Sequence, residues 1–122
     1  MPQDYHLDLS KARVASRERP YEDGIVLSEG RTTPFRVERA WSGPAGTYNE
    51  QWSIRRGGAE ILYRHPPQLI GVTGMQATSE FSDLVDQPLD LEPGTYKLVF
   101  IVEGRFMGAA DIEVRESKDQ AA

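Results

Sequence analysis

The chain has 122 residues, of which 39% are hydrophobic and 27% are charged, with a formal net charge of −5 and no cysteine. This composition is typical of a soluble globular protein, and the length predicts a single domain over residues 1–122. The missing cysteines exclude disulfides, thiolate metal sites and a cysteine nucleophile. The acidic balance argues against general nucleic-acid binding, which needs a basic surface to release counterions.

The location of the protein is predicted from features that the sequence lacks. No stretch approaches the roughly 20 apolar residues of a membrane span. Residues 1–4 are not followed by the apolar segment of a secretory signal. Because the absence of cysteine also fits a reducing compartment, we expect a cytoplasmic protein. The excess of arginine over lysine favours a bacterial, GC-rich source.

The N-terminal part alternates briefly and then becomes polar. Apolar and polar residues alternate over residues 5–10, which predicts a first strand. Residues 11–24 are polar and rich in arginine, so we expect a solvated, linker-like segment that closes in a turn at residues 20–24. The apolar run over residues 25–27 then predicts a brief second strand.

Three consecutive strands are predicted in the middle of the chain, over residues 35–41, 48–56 and 59–65. We expect them to form an antiparallel meander. Closing both connections as hairpins puts most of the large apolar side chains on one face, and a slip of one residue would turn them to water. The side chains predicted on that face are Phe35, Val37, Trp41, Tyr48, Trp52, Ile54, Ile61 and Tyr63.

The register of the second hairpin is predicted from its turn. Gly57 and Gly58 are typical of a two-residue turn, because both central positions of a type I′ turn need positive φ. Folding the chain there pairs Arg55 with Glu60, so that opposite charges face each other. Such a cross-strand pair contributes roughly 0.2–1 kcal/mol.

The first hairpin places two charged residues on the apolar face. Residues 42–47 form a loop by composition, and closing it as a hairpin puts Arg39 directly opposite Glu50. Charged side chains are seldom fully buried. We therefore expect this pair to be an ion pair at the rim of the sheet.

The segment after the meander contains short elements. Pro66 and Pro67 fix φ and remove two donors, so a strand cannot continue through them. Residues 69–72 predict a strand. Residues 81–85 predict either a strand or one helical turn, and the alternation over residues 89–91 predicts a short strand.

The clearest local sequence signature is the turn and strand that begin at Pro93. Pro93 and Gly94 make a turn, and Tyr96 begins a strand that continues through the apolar run of residues 98–102. This pattern resembles the turn that enters a late core strand in immunoglobulin-like β-sandwiches. The resemblance covers the last third of the chain and implies a hydroxyl of Tyr96 bonded back to upstream backbone. The cysteine and tryptophan pattern of antibody domains is missing, so the resemblance concerns the architecture.

The C-terminal part predicts a final hairpin. Residues 103–105 form a three-residue loop that pairs Lys97 with Asp111. One face of this hairpin is wholly apolar and the other is partly apolar over residues 99–109. This composition indicates a strand covered on both sides or facing a partner. Residues 115–122 are expected to form a polar tail.

These elements together predict an all-β fold. About eight short strands separated by turn signals, with no amphipathic helix of convincing length, are typical of a sandwich or small barrel. We expect a two-sheet antiparallel β-sandwich that is immunoglobulin-like. The meander should lie in one sheet and the final hairpin in the other.

No catalytic constellation is found in the sequence. The Gly-x-Ser-x-Gly elbow is absent, and His6 and His65 are the histidines that can act as a base. Asp83, Asp86 and Asp90 are spaced irregularly for a calcium loop. The glycine clusters lack the lysine of a phosphate-binding loop. We therefore predict a protein that is not an enzyme and uses no metal or cofactor.

Candidate contact residues remain by elimination. Two aromatic residues flank the loop over residues 42–47, three arginines and a histidine surround the second hairpin, and two apolar residues lie in the final hairpin. A contact with an anion or an acidic partner is the functional interpretation of the arginines. The candidates are Trp41, Tyr48, Arg55, Arg56, Arg64, His65, Phe106 and Met107.

The sequence favours a non-catalytic module over two alternatives. We expect a protein–protein interaction module, or an accessory subunit of a larger assembly, with a protein partner or self-association through a strand edge. The first alternative is a domain that binds a small ligand or carbohydrate through Trp41 and Tyr48. The second is a hydrolase centred on His65 or a carboxylate.

Overall fold

The computed structural model describes residues 7–57, 59–74 and 77–117. All helices and strands assigned in that part of the chain are β-strands. It contains no helix that is long and apolar enough to cross a membrane. The strands are β1 (Asp8–Ser16), β2 (Ile25–Ser28), β3 (Arg31–Thr32), β4 (Phe35–Ser42), β5 (Gly46–Arg56), β6 (Glu60–Arg64), β7 (Gln68–Val72), β8 (Ser79–Val85), β9 (Gly94–Val102) and β10 (Arg105–Glu116).

The strands form two sheets. The small sheet has three strands in the order β1-β4-β8, and the large sheet has seven, in the order β3-β2-β10-β9-β5-β6 with β7 also paired to β5. Pairing is antiparallel except between β2 and β10, which run parallel. β5 pairs with β9 along one edge and with β6 and β7 in succession along the other.

The core lies between the two sheets. Trp41 of the small sheet packs edge-on against Phe100 of the large sheet, with ring centroids 5.7 Å apart. Both rings are fully buried, as are Phe35, Trp52 and Leu98. The fold is therefore a β-sandwich, as predicted. The described residues form ten strands instead of about eight, and the β2–β10 pair is parallel where antiparallel pairing was expected throughout.

The predicted meander is wrong at its first connection. β4 pairs with β1 along one edge and with β8 along the other, so β5 has no edge of β4 to join. β5 lies in the large sheet instead, beside β9. A loop composition does not distinguish a hairpin from a connection that changes sheets. The alternation still placed the apolar side chains of β4 and β5 inward, because it depends only on the pleat. It was wrong for Ile61 of β6, which is 36% exposed beyond the register shift next to Ile54.

The predicted division of hairpins between sheets is wrong for the same reason. The β5–β6 hairpin and the β9–β10 hairpin belong to one sheet, since β5 and β9 are hydrogen-bonded neighbours. The second sheet is built by β1, β4 and β8, which are far apart in sequence. Non-local pairing of this kind leaves no turn signature in the sequence.

The predicted linker over residues 11–24 is wrong for residues 11–16. They form most of β1 and pair with β4 after a bulge between Leu9 and Lys11. Charged side chains on this strand cover the outer face of the small sheet, where Arg13 pairs with Asp23 and Glu38. Residues 5 and 6 of the predicted first strand lie outside the described residues.

The β5–β6 hairpin forms with a shifted register. Gly57 adopts a φ of 63°, as the predicted turn requires, while residue 58 lies outside the described residues. Glu60 faces Arg56, and a register shift separates Ile54 from Arg55. The predicted pairing of Arg55 with Glu60 is therefore wrong by one residue, because the bulge was not visible in the pattern.

The β9–β10 hairpin keeps most of its predicted register. Lys97 faces Asp111, and their charged groups lie 2.6 Å apart. The turn is a two-residue turn, because Glu103 and Gly104 both have positive φ and Arg105 pairs with Val102. A bulge between Phe106 and Gly108 then restores the expected pairing.

Three of the other predicted strands are confirmed and one is wrong. The strand over residues 25–27 is confirmed as β2, the strand over residues 69–72 lies within β7, and residues 81–85 form part of β8. The strand predicted over residues 89–91 is wrong. Only Asp90 there makes an isolated bridge, to Arg31. Residues 118–122 of the predicted tail lie outside the described residues, while residues 115 and 116 belong to β10.

The predicted tyrosine contact is confirmed. The hydroxyl of Tyr96 donates to the carbonyl oxygen of Glu92 at 2.6 Å and accepts from the backbone N–H of Glu92 at 3.1 Å. Tyr96 itself is buried. This single side chain therefore ties the turn before β9 to the core.

Candidate functional site

A buried polar cluster links the two sheets. Arg39 extends from β4 and forms a two-point ion pair with Glu50 of β5, including an Nε to Oε2 distance of 3.0 Å. Neither side chain has exposed surface. The same carboxylate accepts a hydrogen bond from the indole Nε1 of Trp41 at 2.9 Å. The expected ion pair at the sheet rim is thus wrong in position, because the two residues face each other across the core.

A second carboxylate completes this cluster. Asp83 of β8 lies 2.9 Å from Nη1 of Arg39. It accepts hydrogen bonds of 2.8 Å from Nε1 of Trp52 and from Nε2 of Gln68. We call these residues the inter-sheet cluster: Arg39, Trp41, Glu50, Trp52, Gln68 and Asp83.

The ionisation of Asp83 follows from these contacts. Burial alone raises the pKa of a carboxyl, since it disfavours the charged form. The hydrogen bond from Trp52, the charge of Arg39 and the hydrogen bond from Gln68 together outweigh burial and lower the pKa of Asp83. The cluster therefore holds Asp83 as a carboxylate, and its side chain is only 16% exposed.

The sequence pattern placed four of the six cluster residues on the inner face, including Trp41 and Trp52. It placed Arg39 and Glu50 on the apolar face, and that placement is the signal that a buried pair existed. It missed Asp83 and Gln68 as partners. The shared face of Phe81 and Asp83 on β8 was the available clue, since alternate residues of a strand point the same way.

The two aromatic candidates are not surface groups. Trp41 is fully buried, and Tyr48 is almost fully buried with its hydroxyl donating to the carbonyl of Pro44 at 2.7 Å. A stacking platform for a sugar or other ligand needs exposed ring faces. The structure therefore places both rings in or against the core and not in a contact patch.

The histidine candidate stacks on the cluster. The ring of His65 lies parallel to Trp52, with centroids 4.7 Å apart, and its Nδ1 is 3.0 Å from the carbonyl oxygen of Pro66. Its backbone N–H donates to the carbonyl of Trp52 at 2.9 Å. These contacts hold the His65 ring against the face of the Trp52 indole, just after the end of β6.

The three arginine candidates do not converge. Nε of Arg55 donates to the hydroxyl of Ser53 at 2.9 Å. The guanidinium of Arg56 lies over the ring of Tyr96, 5.6 Å from its centroid. Arg64 is exposed at the end of β6. No common anion site follows from this arrangement of the described residues.

The final hairpin carries exposed apolar surface. Phe106 is 65% exposed and pairs with Ile101, which itself pairs with Gln51 on the outer face of the large sheet. Leu69 is 71% exposed on the same face, opposite Asn49. We call Leu69, Ile101 and Phe106 the outer patch. Met107, the other candidate in this hairpin, packs against the core.

A shallow groove adjoins the outer patch at Ile101. Its lining includes one apolar strand residue, a proline and a rim of polar groups. Within the described residues, no group of three or more histidine, aspartate or glutamate side chains is placed to hold a metal ion. The groove is lined by Asn49, Gln51, Pro67, Ile101, Glu103 and Gly104.

Comparisons with known proteins find likeness in structure. No protein-family model and no curated protein matches the sequence. A glycosyl hydrolase family 2 member from Bacteroides cellulosilyticus DSM 14838 matches 88% of this chain and 15% of its own, with a TM-score of 0.60 and 12% identity. A β-glucosidase from Listeria innocua, in complex with isofagomine, matches 92% of this chain and 16% of its own, with a TM-score of 0.54 and 12% identity.

A third similar structure belongs to a different enzyme. The alkylpurine DNA glycosylase AlkC from Pseudomonas fluorescens, bound to DNA containing an abasic site analog, matches 90% of this chain and 30% of its own. Its TM-score is 0.52 at 11% identity. At such identities these likenesses show a shared β-sandwich fold. This chain spans between 15% and 30% of the length of the three structures.

Proposed function

We propose that this chain is a non-catalytic, immunoglobulin-like β-sandwich module that binds a protein partner through the outer patch, as an accessory part of a larger assembly. The observation that carries the proposal is the exposure of Phe106 and Leu69 on the outer face of the large sheet. Burying an aromatic and an aliphatic side chain against a partner stabilises the complex by roughly 25 cal/mol per Å² of apolar surface removed from water.

The surroundings of the outer patch favour a protein partner. Gln51 and Asn49 lie between its apolar members, and Glu103 lies at the adjacent turn. An apolar centre within a polar rim is the usual anatomy of a protein–protein interface, and aromatic residues are enriched at its centre. Phe106 is the expected anchor of this interface.

Two observations support the immunoglobulin-like and accessory parts of the proposal. The hydroxyl of Tyr96 bonds to Glu92 in the manner of the tyrosine corner of such domains. In the similar solved structures the matched region is a minor part of a longer chain. The bacterial source and cytoplasmic location stay predictions.

The geometry of the inter-sheet cluster supports a non-catalytic role. Arg39 forms an ion pair with Glu50, and Glu50 accepts a hydrogen bond from Trp41. Both charged side chains lie inside the core, where a substrate cannot reach them. The ligand-binding alternative needs exposed rings at Trp41 and Tyr48, and both are buried. The protein-binding proposal is therefore favoured over ligand binding at Trp41 and Tyr48.

The proposal is tested by capture followed by reconstitution. The tagged chain is used to isolate proteins from a native lysate at near-physiological salt, and each stoichiometric protein is identified by mass spectrometry and purified. We expect Phe106→Ser to weaken binding to the purified partner at least tenfold. Tyr21→Ser is the matched control, because Tyr21 is 96% exposed and lies outside the outer patch. Equal binding by both variants would remove the outer patch as the docking site.

A further inference from the structure

The exposed edge of β8 differs from the other strand edges of this fold. β8 pairs with β4 at all seven of its residues without a register shift. Among the described residues it pairs with no other strand. A regular edge strand presents a row of unpaired backbone N–H and C=O groups, which is a template for pairing with another chain.

The other edges carry protective features. β3 is only two residues long, and the edge formed by β6 and β7 is interrupted by Pro66 and Pro67. The edge of β1 has a bulge after Leu9, and Ala15 forms a bridge with Gly24. Residues 79–85 contain no proline, bulge, lysine or arginine. The charged residues of β8 are Glu80 and the inward-pointing Asp83, and Arg39 of the same chain already pairs with Asp83. Among the described strands, β8 therefore has the longest regular edge and the least protected one.

We propose that β8 pairs antiparallel with β8 of a second copy of this chain, with the two-fold axis at Ser82. This pairing joins two three-stranded sheets into one continuous sheet. It uses the small sheet, so it is independent of the outer patch and extends beyond the proposed function. An interface of this kind is isologous, with the same surface contributed by each copy.

The sequence of β8 is complementary to itself in this register. Ser82 faces its own copy, Glu80 faces Leu84, and Phe81 faces Asp83. No carboxylate lies directly opposite another carboxylate. The two residues of each pair are both even-numbered or both odd-numbered, so they lie on the same face of their strands. The inner faces of the two small sheets therefore lie on the same side of the joined sheet.

Neighbouring registers are less favourable. Moving the axis to Asp83 places two Asp83 side chains opposite each other, and like charges directly opposite are destabilising. Moving it to Phe81 leaves Leu84 and Val85 without partners. The register centred on Ser82 is the one that pairs all seven residues of β8 without a direct like-charge contact.

The side chains around the axis suit close approach. Ser82 is small, and its hydroxyl accepts a hydrogen bond from Nη1 of Arg36 at 3.2 Å. Leu84 is an exposed apolar residue that gains cover from the aliphatic part of Glu80. On the inner face, the Asp83 carboxylates are diagonal neighbours, and Arg39 balances each of them.

The interface is small, so the association is weak. A single pair of seven-residue strands buries less than the roughly 1,200–2,000 Å² of a standard stable interface. We expect a dimer with a dissociation constant in roughly the micromolar to millimolar range. Sedimentation velocity over a concentration series is the direct measurement of this equilibrium.

A charge-swap experiment at the axis tests the geometry. Because residue 82 faces itself, Ser82→Lys and Ser82→Glu should each weaken self-association by about fivefold or more. An equimolar mixture of the two variants should regain the association, because lysine then faces glutamate. Far-UV circular dichroism confirms that each variant is folded.

Matched controls make the result decisive. Thr47→Lys introduces the same charge at an exposed position of β5, and Phe106→Ser alters the outer patch. Both should dimerise like the wild-type chain. A wild-type chain that stays monomeric up to about 1 mM, or a dimer that the mixture does not restore, would overturn the proposal. A dimer lost only in Phe106→Ser would assign self-association to the outer patch instead.

Discussion

Arg39 and Glu50 lie on different sheets and form a two-point ion pair that has no exposed surface. A buried ion pair of this kind contributes little net stability compared with a well-packed apolar pair, but it strongly penalises the loss of one partner. The indole of Trp41 and the carboxylate of Asp83 complete its hydrogen bonding. The pair therefore connects β4 of the small sheet to β5 of the large sheet inside the core.

Glu50→Gln should destabilise the fold strongly. The substitution keeps the shape of the side chain but leaves the buried guanidinium of Arg39 with Asp83 as its remaining carboxylate. We expect the free energy of unfolding to fall by about 3–5 kcal/mol in urea denaturation. Asp111→Asn is the matched control. It removes an exposed ion pair with Lys97, which should cost less than about 1 kcal/mol.

A double-mutant cycle separates the pair from its surroundings. Arg39→Met alone leaves Glu50 buried without its cation, whereas Arg39→Met with Glu50→Gln leaves neither charge. The double variant should therefore be more stable than the sum of the single effects predicts, by about 1–3 kcal/mol. Additive losses would show that the two side chains stabilise the fold separately.

Tyr96→Phe should weaken the turn before β9. The substitution removes the hydroxyl that bonds both the N–H and the carbonyl of Glu92. A hydrogen bond contributes about 0.5–1.5 kcal/mol net, so we expect the loss of both bonds to lower the free energy of unfolding by about 1–3 kcal/mol in thermal or urea unfolding. Tyr21→Phe is the control, since Tyr21 is almost fully exposed. An equal effect in both would contradict the role of the corner.

Stability should fall in acid through Asp83. Its pKa is lowered in the folded state, so the unfolded chain binds more protons between the folded and unfolded pKa values. The contribution of Asp83 is therefore complete above about pH 4, the pKa of an unperturbed aspartate, and is lost as the pH falls through the folded pKa. Asp83→Asn should be less stable at neutral pH and should show a smaller loss between neutral pH and pH 2. Parallel profiles for the two proteins would contradict this assignment.

Gly104→Ala should destabilise the β9–β10 turn without any steric clash. Gly104 has a φ of 77°, and a Cβ there would meet nothing within 4 Å, so the cost comes from the left-handed backbone alone. We expect a loss of about 1–2 kcal/mol. Gly71→Ala is the matched control, because its Cβ would also meet nothing within 4 Å. The control should be neutral or slightly stabilising in the same unfolding assay.

The sequence predicted local pairings better than distant ones. The pairing of Lys97 with Asp111 and the contact of Tyr96 follow from turn chemistry and strand alternation over short separations. The sheet of β1, β4 and β8 depends on partners distant in sequence, and loop composition does not choose between a hairpin and a change of sheet. The bulges next to Ile54 and Met107 shift the register by one residue without altering the apolar pattern.

The burial of the candidate site residues was also predicted only in part. The predicted three-residue loop puts Phe106 opposite Val102 on the wholly apolar face, and this is wrong. The two-residue turn pairs Phe106 with Ile101 on the exposed face, while Met107 packs against the core. Trp41 and Tyr48 satisfy the same alternation as core residues, so the pattern did not distinguish a core ring from a ring at the end of the sandwich. Arg39 and Glu50 were placed on the inner face, yet the rarity of buried charge led to the wrong prediction of a rim position.

Docking of a protein partner on the outer patch is tested by amide hydrogen exchange on the complex with the purified partner. We predict slower exchange on partner addition in β9, β10 and the β9–β10 turn, around Ile101 and Phe106, and unchanged exchange in β1 and β4. Protection confined to the small sheet, with none around Phe106, would contradict it.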